Sequence, residues 1–223
     1  FISKELTDTY GQFDTPLAGH PTIEVPGIEV NSGALGHGLP IGVGMAIAAK
    51  MDKKSWKTFV LMGDGEQGEG SIYEAAMAGS HYKLDNLVAI IDRNGLQISD
   101  TTENVMALES FSERWGAFGW DVIEINGDKM DEIVAAFESI DYTNGNPHLI
   151  VSRTTKGCGV KLMENILNMK TPAVYDYKGE GENKVKIFNS EETVKLSEKQ
   201  EKMIAAFKEW VWKDEERKRR LVG

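Results

Sequence analysis

Leu87-Val88-Ala89-Ile90-Ile91 places five apolar residues in a row between polar neighbours. A strand with one wet face alternates, whereas an unbroken apolar run fits a strand covered on both faces. Such strands belong to parallel sheets, whose crossover helices lie on the two faces. The stretch Thr58-Phe59-Val60-Leu61-Met62 reads as a second strand and runs straight into Gly63-Asp64-Gly65. A strand ending on glycines implies a sharp turn or a close approach to the backbone.

The rest of the chain supplies the crossovers. Helical patterns fall at 39–50, 71–82, near 110–119 and at 130–140, and further strands at 121–125 and 148–153. The expected fold class is therefore α/β, a parallel sheet flanked by helices. In the first helix Gly42, Gly44 and the alanines suggest close packing on a neighbour. Residues 1–30, broken by Pro16, Pro21 and Pro26, read as loop. The expected divisions are a domain over 1–165, with truncation at its N-terminus left open, a variable loop over 166–190 with room for one hairpin, and a helical extension over 191–223. In that extension Met203, Ile204, Phe207, Trp210 and Val211 share one stripe, which either docks on the domain or binds a partner.

Composition narrows the partners. Net charge is −10, which disfavours nucleic acid and anionic membranes. The basic run Arg217-Lys218-Arg219-Arg220 reads as a helix end favoured by the macrodipole. Cys158 is the one cysteine, so no disulfide framework exists and a reducing, cytoplasmic location is expected. No apolar run approaches the length of a membrane span.

Asp64 and Asn94 follow neighbouring apolar strands, at the carboxyl ends where open α/β sheets bind ligands. A carboxylate, an amide oxygen and a nearby backbone carbonyl suit Mg²⁺, which keeps water and phosphate oxygens in its shell. The flanking glycines leave N–H groups open to phosphate. The residues alone admit a plainer alternative, turn glycines and an Asx-turn.

The fuller wording is more specific. LAGHPTIEVPGIEVNSGALGHGLPIGVGMAIA, GDGEQGEGSIYEAAMAGSHYKLDNLVAIIDRNGLQISD, ERWGAFGWDVIEINGD and PHLIVSRTTKGCG appear in order. Together, over about residues 1–165, they resemble the diphosphate-binding half of the transketolases, which use thiamine diphosphate. The resemblance implies that Asp64, Asn94 and the carbonyl of Leu96 hold Mg²⁺. It implies that Gly65 contacts the diphosphate and that Gly33, Ala34 and Leu35 line the cofactor's pocket, Leu35 as apolar packing. His20 matches a histidine that faces the substrate's oxygens. Glu69 matches an acid near the family's subunit contact that serves a proton relay, although a solvated glutamate at a helix start is an equal reading. His37 reads as a loop histidine bonded to backbone.

The implied reaction moves a two-carbon ketol unit from a ketose or ketose phosphate to an aldose or aldose phosphate. Its activating glutamate comes from a separate pyrimidine-binding domain, which is expected to lie on another chain because no further run of alternating strands and helices is read after Gly159. The expected protein is thus one subunit of a split transketolase, needing a pyrimidine-binding (C-terminal) partner in a dimer of heterodimers. Two departures stand out. The histidines that relatives carry in the form SKGH belong to a segment upstream of the point where this sequence starts, and Lys170 occupies the place of a later histidine. They keep two alternatives open: a carbon–carbon ligase with a 2-oxo acid donor, and a non-catalytic cofactor-binding scaffold.

Overall fold

In the computed structural model the unbroken apolar run is a central strand, flanked on both sides by parallel neighbours. The structure describes residues 2–98, 100–159, 164–165, 184–186 and 193–195. In chain order the elements are α1 (Lys4–Thr7), α2 (Gly38–Met51), β1 (Thr58–Gly63), a 3₁₀ turn (Gly65–Gly68) and α3 (Gly70–His81). Then come β2 (Leu87–Arg93), β3 (Leu96–Gln97), β4 (Asp100–Thr101), α4 (Thr102–Val105) and α5 (Phe111–Ala117). Next are β5 (Asp121–Asn126), α6 (Met130–Glu138) and β6 (His148–Arg153), and finally the short strands β7 (Lys184–Lys186) and β8 (Thr193–Lys195).

The main sheet has the order β1-β2-β6-β5 with every pair parallel. From β1 to β2 and from β2 to β5 the chain steps one way, and from β5 to β6 it steps back. Right-handed crossovers then place α3 and α5 on one face and α6 on the other. The packing has that arrangement. Val60, Met62, Leu87, Ala89, Ile91, Leu149 and Val151 meet Leu39, Ile72, Ala76, Phe111 and Trp115 from α2, α3 and α5. Val88 and Ile150 meet Ala136 of α6 and Ile140. Alternate residues of β2 thus enter two different cores, which is why the run has no polar position.

Within α2, glycine-dependent close packing occurs at one of the two interior glycines. A Cβ built on Gly42 falls 2.5 Å from Val60 Cγ2, so only glycine lets the helix approach β1 this closely. Gly44 faces open space, contrary to the close contact expected there. Pro40 is tolerated in the first turn of α2, where its missing N–H has no helical partner. β1 is an edge strand among the described residues, and Leu61 on its outer side is 72% exposed.

The antiparallel pair β7–β8 joins Lys184–Lys186, inside the expected variable loop, to Thr193–Lys195 beyond its end. Those three residues are strand where a helix was expected. The rest of 191–223, with its apolar stripe and basic run, lies outside the described residues, as does Lys170. The hairpin β3–β4 and the one-turn α4 were not foreseen, since two-residue strands carry no readable period.

Candidate active site at the carboxyl ends of the strands

Asp64 lies one residue past β1, at the carboxyl end of the sheet, and is 2% exposed. The register pairs Gly63 with Asp92, so the tips of β1 and β2 are adjacent. The loops touch directly. Asp64 Oδ2 accepts from the N–H of Gly95 at 2.7 Å and from Arg93 Nη1 at 3.1 Å, and Oδ1 accepts from Gly65 N–H at 2.7 Å. The convergence of the 64 and 94 positions is therefore built, through the backbone of the turn and through Arg93.

Asn94 is turned differently from the sequence expectation. Its Oδ1 accepts from Leu96 N–H at 3.1 Å, an Asx-turn, and its Nδ2 donates to Asp92 Oδ2 at 3.1 Å. No hydrogen bond joins Asn94 to Asp64. Each amide or carboxylate oxygen has two lone pairs. Among the described residues Asp64 Oδ1 and Asn94 Oδ1 have one donor each, so each retains one acceptor position. Leu96, whose carbonyl is the third expected donor, opens β3. Gly65 N–H points at Asp64 here rather than outward. A Cβ on Gly65 would fall 2.9 Å from the Gln97 side chain, whose Oε1 is buried without a partner among the described residues.

The second glycine loop, residues 33–38, is fastened to this tip by Glu66. Its Oε1 accepts from Gly36 N–H at 2.8 Å and its Oε2 from Gly63 N–H at 3.2 Å. Ser71 Oγ adds a bond to the Gly36 carbonyl at 2.7 Å. Gly33 has φ +107°, and a Cβ there would meet the ring of His20 at 2.9 Å, so His20 covers this loop. Leu35 is 53% exposed and Ala34 is exposed with it. His37 Nδ1 lies 2.9 Å from the Leu35 carbonyl, the backbone contact expected of it. Glu69 is exposed at the N-cap of α3 and makes no side-chain cap bond.

Beyond Arg93 the charges continue along the strand tips. Glu109 accepts from both Arg93 and Arg153, and Arg153 pairs with Glu124 of β5. Partial burial would raise the Glu109 carboxyl, but the two guanidinium groups outweigh it and hold the group below the usual carboxylate range. Burial likewise opposes the charge on Arg93, and its bonds to Asp64 and Glu109 more than restore it. A concavity of ≈ 470 Å³ opens between Glu124, Asn126, Asp128, Glu132, Arg153 and Thr155. It contains none of the expected site residues, and its carboxylates outnumber its one guanidinium, so it does not suit a diphosphate. Asp64 itself is buried, while the flanking loops carry exposed apolar side chains, Leu35 at 53% and Ile98 at 79%.

Arg93 and Glu66 are the residues that sequence reasoning missed. The signal for Glu66 was its place beside the GDG turn. Arg93 carried none, because its partners Glu103 and Glu109 are ten and sixteen residues away.

A family described as "Transketolase, thiamine diphosphate binding domain" matches residues 3–219. The chain belongs to the transketolase family. An apulose-4-phosphate transketolase subunit from Phocaeicola vulgatus is 74% identical over 166 residues, 74% of this chain and 59% of that protein. The protein of the same name from Actinobacillus succinogenes is 45% identical over 165 residues, again 74% and 59% of the two chains. The chain thus spans little more than half the length of these curated relatives. Transketolase from Campylobacter jejuni superposes with a TM-score of 0.68 at 33% identity, covering 72% of this chain and 26% of that one. The transketolase fold read from the sequence is the fold found, and the domain is one that binds thiamine diphosphate.

Proposed function

We propose that this chain is the diphosphate-binding subunit of a split transketolase, moving a two-carbon ketol unit from a ketose or ketose phosphate to an aldose or aldose phosphate. The observation that carries the reading is the joining of the β1 and β2 tips at a buried carboxylate, Asp64, through the N–H of Gly95. The Phocaeicola relative is named for apulose 4-phosphate, which makes that ketose phosphate the first to test.

The donor set fits a hard divalent cation carrying a diphosphate. Asp64 Oδ1 and Asn94 Oδ1 are oxygen donors with an acceptor position left, and Leu96 contributes a carbonyl. Mg²⁺ would complete its shell with water and phosphate oxygens. Thiamine diphosphate supplies the carbanion-stabilising chemistry when bound, and the protein supplies binding and orientation. In this assignment Gly65 and the loop of Gly33, Ala34 and Leu35 shape the cofactor's bed. His20, lying over Gly33, hydrogen-bonds the substrate's oxygens. Glu69 carries protons toward the partner.

The exposed apolar side chains of Leu35 and Ile98 call for a covering wall, which we assign to a pyrimidine-binding partner chain in a dimer of heterodimers. A cytoplasmic setting agrees with the single cysteine, and no helix among the described residues is long and apolar enough to cross a membrane. The test is reconstitution of the native pair. Ketose phosphate turnover is expected only with both chains, thiamine diphosphate and Mg²⁺ present, and Asp64→Ala removes Mg²⁺-dependent cofactor binding. Turnover of 2-oxo acids in place of ketose phosphates, or turnover that survives Asp64→Ala, overturns the reading.

A further inference from the structure

Arg93 closes β2 with its side chain only 8% exposed. Its guanidinium donates to Asp64 Oδ2 at 3.1 Å, Thr102 Oγ1 at 2.5 Å, Glu103 Oε1 at 2.9 Å and Glu109 Oε1 at 3.0 Å. Gly95 N–H donates to the same Asp64 Oδ2 at 2.7 Å. With two donors, Oδ2 has both lone pairs in use. Oδ1 has one donor, Gly65 N–H, so Asp64 has a single acceptor position left.

We infer that Arg93 is a positioning residue that makes Asp64 a one-oxygen ligand, offering only Oδ1 to a cation and fixing its direction before the cation arrives. The inference rests on the reading of Asp64 as a cation ligand. A guanidinium beside a metal ligand looks repulsive, but three carboxylates share this one, so the cluster remains net negative. Thr102 is fully buried and Glu103 and Glu109 lie on the segment that follows it. Arg93 therefore ties the β1 tip to the start of α4 and to the loop before α5. The planar fork of arginine can serve four acceptors at once, whereas a lysine is a point charge that cannot.

The experiment uses the full-length protein assembled with its partner chain. Mn²⁺ is titrated in the presence of thiamine diphosphate and followed by its electron paramagnetic resonance. Arg93→Met is expected to weaken Mn²⁺ binding about 10–100-fold, the range seen when a residue that orients a metal ligand is lost. Arg93→Lys should fall between wild type and Arg93→Met. A purely structural role would lower the melting temperature and leave the Mn²⁺ affinity of the folded protein unchanged. Asp64→Asn separates the two claims. If Asp64→Asn keeps wild-type Mn²⁺ affinity, the reading of Asp64 as a ligand fails. If Asp64→Asn loses it while the Arg93 variants keep it, the role of Arg93 fails alone. Should Arg93→Met not fold, Arg93→Lys decides by the same criterion, because it keeps the buried charge and most of the stem.

Discussion

Glu66 commits both carboxylate oxygens to backbone N–H groups, one on Gly36 and one on Gly63. These belong to the two glycine loops assigned to the cofactor, so one side chain sets the distance between them. Gly36 is buried, and removing the carboxylate takes away the acceptor its N–H has among the described residues. Glu66→Ala is expected to lower folding stability by about 1–3 kcal/mol, the cost of an unpaired buried donor. A urea denaturation midpoint measures it, and an unchanged midpoint shows that the loops hold without this strut. Sequence reading recognised the loops through their glycines and did not see the strut. Gly36 lies thirty residues before Glu66, and only the folded path of α2 and β1 brings them together. Asn94 marks a further limit. Its spacing from Asp64 was legible, but its rotamer was not, and the Asx-turn admitted as the plainer alternative is what the side chain makes.

At the level of elements, the sheet and its helices were readable because burial on both faces leaves an unambiguous pattern. β2 and β6 are apolar runs, and the small residues of α2 announce a helix pressed on a neighbour. What the pattern could not tell is which small residue makes the contact. Gly42 meets Val60, while Gly44 meets nothing within 4 Å. The two alanine variants should therefore move in opposite directions. Gly42→Ala forces atoms together and is expected to destabilise by about 1–3 kcal/mol. Gly44→Ala gains helix propensity in open space and is expected to stabilise by up to about 1 kcal/mol. Thermal melts of both variants check the pair, and Val60→Ala should relieve the first but leave the second unchanged.

For the whole molecule, the first loss of stability on acidification is expected at the end of the sheet opposite Asp64. His148 starts β6, is buried, and has Nε2 unpartnered among the described residues. Burial pushes its pKa below the ordinary 6.5, and the nearby Asp121 offsets this only in part. The unfolded chain then binds the proton more readily, so stability rises with pH in this window. The contribution is complete above about pH 6.5 and is lost as pH falls through the lower folded value. The Glu109 carboxylate adds a second loss further into acid, since its folded pKa is also lowered. Melting temperature against pH should decline from about 6.5 downward, and His148→Gln should flatten the upper part of that decline. A profile that keeps its upper slope in the variant assigns the effect to other groups.

β1 is bonded to one neighbour only among the described residues, and Asp64 hangs from its end. A strand zipped along a single side can peel, and peeling would carry the carboxylate away from Gly95 and Arg93. Ligand occupancy and fraying of the sheet's margin are then two views of one equilibrium. Loading with thiamine diphosphate and Mg²⁺ should slow deuterium uptake by the amides of residues 59–62 more than by those of the interior strand β2, and equal uptake with and without ligand would separate the two events.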